Sequence, residues 1–237
     1  MVLPMTSRRP SIRPFAVAVL VASVAGGCSA QTFGEASGEN DEAIIDGVAS
    51  GPEDDAVAVF GAPDGVGFCS GTLVAPNLVL TAKHCVREKA PSPRYSCTTP
   101  SDDLGALRPA AALTMLFGHD LSGAMEPRAV SRVVDDGRLE LCDRDAAVLV
   151  LATPVTTVRP RALRITALER GETLTAVGWG MTESGIPDTR RKRSGVTVLP
   201  SSNAGAGALG TNEILTTTAV CKGDSGGPLF DASGRVV

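Results

Sequence analysis

From Val57 onward the chain alternates short apolar stretches with tight polar punctuation. Val57–Phe60, Thr72–Val74, Val79–Thr81, Leu113–Phe117 and Ala146–Leu151 are each too short for a helix and rich in β-branched residues. Between them lie Gly61-Ala-Pro-Asp-Gly65, Ala75-Pro76-Asn77, Pro91-Ser-Pro93 and Asp135-Asp136-Gly137, which read as turns. Regular short strands without long helical periodicity predict an all-β, antiparallel fold. Periodicity alone leaves barrel and sandwich both open. No internal repeat is visible.

The first 43 residues follow a different pattern. Arg8, Arg9 and Arg13 precede an apolar run from Phe15 to Ala25, then small residues and Cys28. This is the layout of an export signal, too short and wrongly flanked for a spanning helix. Ala25-Gly26-Gly27-Cys28 resembles a bacterial lipobox, with Ala25 where leucine is usual, so Cys28 is the expected lipidation point. The alternative is plain secretion with an incidental cysteine. The Arg8-Arg9 pair lacks the sequel of a twin-arginine signal. Residues 29–43 are too polar to bury a core and read as a tether or propeptide. The expected organisation is thus 1–28 signal, 29–43 tether, 44–155 a first β unit and 156–237 a second.

Composition narrows the function classes. Aromatics make up only 3%, so the core must be mostly Val, Leu, Ala and Ile. Removing residues 1–28 strips three arginines and no acids, taking the formal charge from −4 to −7. An acidic chain argues against nucleic acid or an anionic membrane surface as partner. Arg190-Arg191-Lys192-Arg193 therefore reads as a solvated loop. His119, in a turn, reads as a surface residue. Two distant histidines give no zinc spacing, no carboxylate cluster suggests calcium, and no cofactor is expected.

The chemistry concentrates in Cys221-Lys222-Gly223-Asp224-Ser225-Gly226-Gly227-Pro228. A serine hydroxyl needs a neighbouring base to become a nucleophile. The oxyanion it generates needs donors already aimed at it, each worth about 3–4 kcal/mol. Glycines around Ser225 let the amides of Gly223 and Ser225 point into one small hole. Gly-Asp-Ser-Gly-Gly-Pro resembles the nucleophile loop of chymotrypsin-like (trypsin-like) serine proteases. Thr81-Ala82-Lys83-His84-Cys85 is similar to that family's general-base segment. Asp145 opening the apolar run Ala146–Leu151, and Gly178-Trp179-Gly180, complete the resemblance in the family's order of His, Asp, Ser. It runs from Ile44 to Val237.

The resemblance implies two antiparallel β-barrels with a triad of His84, Asp145 and Ser225 between them, hydrolysing peptide bonds through an acyl-enzyme. Asp145 is preferred to Asp143 as the imidazole partner because the apolar run begins directly after it. The family's disulfide implies Cys69–Cys85, worth about 3 kcal/mol for such a loop. Cys97–Cys142 follows by elimination. Cys221 is left over, because its family partner lies further along than this sequence reaches. The resemblance implies further strands after Val237, so a fragment with an incomplete second barrel is expected, the alternative being a damaged gene product.

Ile44-Ile45-Asp46-Gly47 is similar to the family's mature N-terminus, whose freed ammonium pairs with the aspartate before the nucleophile, here Asp224. Ala43 precedes the cut, so an activating protease would have to accept small residues. The alternative is that Ile44-Ile45 merely begins a strand. Ala219, six before the nucleophile, and Val220 put no charge in the specificity pocket, which implies small or medium apolar side chains. The expectation is an exported, zymogenic monomer in a bacterial envelope or outside the cell, touching membrane only through Cys28. The competing class is an inactive homologue that binds protein in the same cleft.

Overall fold

The computed structural model describes Ile44 and residues 47–61, 68–91, 93, 96–99, 101–181, 188–204, 209–217 and 220–237. Cys28, Ala43 and Ala219 lie outside them. Strands β1 (Val48–Ala49), β2 (Val57–Gly61), β3 (Phe68–Ala75) and β4 (Leu78–Thr81) lead into one helical turn, α1 (Lys83–Val86). Then come β5 (Arg87–Lys89), β6 (Leu104–Leu107), β7 (Thr114–Phe117), β8 (Glu126–Val134) and β9 (Ala147–Leu151). The second half carries β10 (Thr173–Gly178), β11 (Arg191–Leu199), β12 (Leu215–Thr216) and β13 (Leu229–Phe230).

Strands β2-β3-β4-β9-β8-β7 close on themselves as an antiparallel barrel. Closure leaves no unpaired edge and decides between the two all-β architectures. In β9, Ala147, Leu149 and Leu151 point into the barrel while Val148 and Val150 are only partly covered. That alternation follows from the two-residue side-chain period of a strand. The filling is aliphatic with a few large residues: Leu73, Val79, Leu113, Met115, Phe117 and Leu149 are essentially fully buried.

Among the described residues the second half forms a five-stranded sheet, β1-β11-β10-β13, with β12 on β11. It has its own core of Ile44, Leu174, Ala176, Val196 and Val198. A smaller cluster of Val57, Val177, Phe230 and Val236 joins this sheet to the barrel. No helix among the described residues is long and apolar enough to cross a membrane.

The basic run corrects one expectation. Arg190 is fully buried rather than solvated, and Arg191–Arg193 open strand β11. The Arg190 guanidinium donates to the carbonyls of Gly51, Val57 and Gly118 at 2.5, 3.1 and 2.6 Å and to Asp55 at 3.0 Å. Its donors thereby knit the approach to β2 to the loop after β7. Arg191 donates to the Gly47 carbonyl, and Lys192 meets Glu53 and Asp54. The pairing of β1 with β11 puts these acceptors opposite the cations, which no reading of the run by itself contains. His119, half-exposed, sits 3.3 Å from the same Asp55.

Candidate active site

Pairing of β4 with β9 builds the first half of the site. Thr81 lies opposite Ala147, so the residues just beyond the end of β4 meet those just before β9. His84 and Asp145 are thereby brought into contact. The His84 amide donates to Asp145 Oδ1 at 2.9 Å, and His84 Nδ1 lies 2.7 Å from Oδ2. A carboxylate, when ionised, only accepts, so this contact fits an imidazole that carries its proton on Nδ1. A four-residue turn such as α1 has no stability of its own. It is held by the Cys69–Cys85 disulfide, which forms as the resemblance implies. Asp143 does not reach the imidazole. Its carboxylate accepts the Asn212 amide at 2.6 Å and the Thr211 hydroxyl at 3.2 Å instead.

The second half is the loop 221–228. Gly223 has φ +98°, and a side chain there would collide with the Phe68 ring, so only glycine fits. The loop is docked onto the barrel by Ser70, a fully buried residue of β3. The Ser70 amide donates to the Ser225 carbonyl at 2.8 Å. Its hydroxyl donates to the Gly223 carbonyl at 2.9 Å and accepts the Trp179 amide at 3.0 Å. Ser225 then lines one open cleft of about 350 Å³ together with His84, Asp145, Gly226 and Gly227. Ser225 Oγ makes no hydrogen bond to the His84 ring, and such contacts commonly tighten only when substrate is bound. Among the described residues neither the Gly223 nor the Ser225 amide is engaged by an internal acceptor. Both remain able to meet an oxyanion.

Asp224 points the other way, into the protein, and is 5% exposed. It accepts the amides of Gly180 at 2.7 Å and Cys221 at 2.9 Å, and that of Ile44. Side chains at positions 178 or 180 would run into this carboxylate, which accounts for the glycines flanking Trp179. Burial pushes the Asp224 carboxyl up to about 6, against the pull of the three amides. Ile44 is fully buried beside it with φ +34°, a left-handed conformation that costs a β-branched residue roughly 1–3 kcal/mol.

Residues 49–237 match the family described as Trypsin. The chain belongs to the trypsin family. Its relatives include serine protease SP24D of Anopheles gambiae, 31% identical over 170 residues. That match covers 68% of this chain, which spans only 57% of the mosquito protein. Human granzyme M is 28% identical over 187 residues, covering 73% of this chain and 68% of the granzyme. Among solved structures, human heparin binding protein superposes with a TM-score of 0.60 at 20% identity, over 81% of this chain and 82% of that one. A structure titled GrC does so equally, at 0.60 and 21% identity, over 81% and 85%. At these identities the superpositions speak for the chymotrypsin-like fold.

The remaining expected residues of this trypsin-family chain fall as follows. Cys97 and Cys142 are bonded. Cys221 is not the spare thiol expected of it: among the described residues no cysteine is free. Val220 is 56% exposed, and Ala219 is outside the described residues. Two groupings of ligand-type side chains, His84 with Cys69–Cys85 and Glu213 with Cys97–Cys142, each contain a disulfide and so offer no thiolate. Sequence reasoning missed Ser70. The available signal was a hydroxyl next to Cys69 inside an otherwise buried strand.

The raised Asp224 pKa makes a signed prediction. The folded chain binds this proton more tightly than the unfolded chain, so the group's contribution to stability falls as pH rises from about 4 to 6. Urea unfolding of the wild type and Asp224→Asn should therefore diverge across that window by up to about 3 kcal/mol, and run parallel above it. Parallel profiles throughout would show that Asp224 is not held in this environment.

Proposed function

We propose that the chain is a serine endopeptidase that cleaves proteins through a triad of Ser225, His84 and Asp145. One observation carries the reading: the 2.7 Å His84–Asp145 contact stands in the cleft that Ser225 also lines. Ser225 Oγ attacks the scissile carbonyl and passes its proton to His84 Nε2, while Asp145 stabilises the imidazolium. The negative oxygen is received by the amides of Gly223 and Ser225. His84 then protonates the departing amine, and an acyl-Ser225 ester remains. Water, deprotonated by His84, hydrolyses that ester and restores the free hydroxyl.

The same reading makes the chain a zymogen cut after Ala43. Ile44 already lies against Asp224, and a new ammonium there would neutralise a carboxylate that burial leaves electrostatically unsatisfied. A fluorophosphonate should label the wild type and lose at least about a thousandfold in rate in Ser225→Ala and His84→Ala, as loss of a triad member does. Labelled protein should begin at Ile44. Absence of labelling in protein cut there would leave only a binding module in the same cleft.

Ala219 and the exposed Val220 bring no charge to the pocket region, which supports a preference for small or medium apolar side chains before the scissile bond. A peptide library should show that preference, and selection for Arg or Lys would reverse it.

Export and anchoring rest on residues 1–28 alone. The relatives named above are animal proteins, so the bacterial lipoprotein subclass draws its support only from Ala25-Gly26-Gly27-Cys28. Incorporation of labelled palmitate that disappears in Cys28→Ser is the expected result; unlabelled, freely secreted protein would exclude the anchor.

A further inference from the structure

Lys83 occupies the position directly before His84, and its side chain is completely buried. A buried ammonium is tolerated only when paired and hydrogen-bonded. Its Nζ donates to the Glu140 carbonyl at 2.8 Å and meets Asp136 Oδ1 at 3.2 Å. The other oxygen of Asp136 lies 3.1 Å from Arg144, the residue directly before Asp145. The neighbouring Asp135 grips Arg87, which follows α1, through two contacts of 2.5 and 3.1 Å. The turn after β8 thus holds the helical turn of His84 at both ends and also holds the segment that delivers Asp145. Burial pulls the Asp136 carboxyl up, but the Arg138 amide, Arg144 and Lys83 together hold it down at about 2, so it stays ionised.

We propose that Lys83 and Asp136 are positioning residues for the His84–Asp145 pair: one carboxylate links the chain neighbours of both triad members and sets the distance between them. The mechanism above makes no use of this ion pair. A pair of this kind adds little net stability over an apolar replacement. What it adds is registry. The 2.7 Å contact joins two loops from different parts of the barrel, and misplacement of a reacting group by about 1 Å costs on the order of a hundredfold in rate.

This inference rests on the triad reading, so its test has an arm that does not depend on activity. In the full chain, Lys83→Met fills the buried space and leaves Asp136 partly solvated and still beside Arg144. The proton between His84 Nδ1 and Asp145 should give a low-field resonance in the wild type. That resonance should shift or broaden in Lys83→Met while the circular-dichroism melt is retained. Fluorophosphonate labelling should slow about tenfold or more. Arg144→Gln, on the surface, should slow it less. Because both act through Asp136, the double variant should be no slower than Lys83→Met alone. A folded Lys83→Met with an unchanged resonance and labelling rate overturns the proposal, as do losses that multiply in the double variant. If Lys83→Met does not fold, Arg144→Gln decides alone, a shifted resonance supporting the proposal and an unshifted one overturning it. A wild type that never labels removes the hydrolase reading, yet the resonance still tests the positioning.

Discussion

The site depends on how the loop carrying Ser225 is fastened to the barrel carrying His84, and that fastening is Ser70. Its backbone amide and hydroxyl hold the carbonyls of Ser225 and Gly223, and its hydroxyl also receives the Trp179 amide. Three hydrogen bonds at one fully buried residue join the barrel, the nucleophile loop and the residue that follows β10. Each is made in the absence of competing water, where a lost partner leaves a desolvated polar group behind. The Thr81 hydroxyl donates to the Ser70 carbonyl at 2.8 Å, so the strand leading to His84 is tied to the same residue. The two halves of the cleft therefore share one mechanical reference.

A second constraint is electrostatic. Asp224 is turned away from the cleft and held by three amides, yet burial still dominates its titration. The protein thereby carries a buried carboxylate directly beside Ser225, in the loop that lines the cleft. Gly178 and Gly180 exist in this arrangement to let the backbone close over that carboxylate. The strained Ile44 reaches the same carboxylate with its amide from the segment ahead of β1. Loop shape, charge and the N-terminal segment are thus one problem rather than three.

Charged residues in this chain are largely paired where the fold needs rigidity. Arg190, fully buried, ties the segment from Gly51 to Val57 to the loop after β7, and Lys83, equally buried, ties α1 to the turn after β8. With aromatics at 3%, the interior has few large rigid side chains to fix these junctions. Long cations with several donors take that place: one guanidinium reaches three carbonyls and a carboxylate that no aliphatic side chain could organise.

Much of the site was legible in the sequence because its motifs are local. The glycines of 223–227, the His84-Cys85 pair and Asp145 ahead of an apolar run each encode a backbone shape or a burial boundary within a few residues. Short apolar stretches also announced most of the barrel strands. Strand β11 was not legible, since its first residues are Arg-Lys-Arg and the acceptors of Arg191 and Lys192, at Gly47, Glu53 and Asp54, are distant in sequence. The same holds for Ser70, Arg190 and Lys83, whose neighbours Gly223, Gly118 and Asp136 are brought to them only by sheet register and barrel closure. Residue type and short-range spacing determined which groups could do chemistry. Only the tertiary structure decided which polar side chains hold those groups in place, because a hydrogen-bond partner is chosen by proximity in space and leaves no period along the chain.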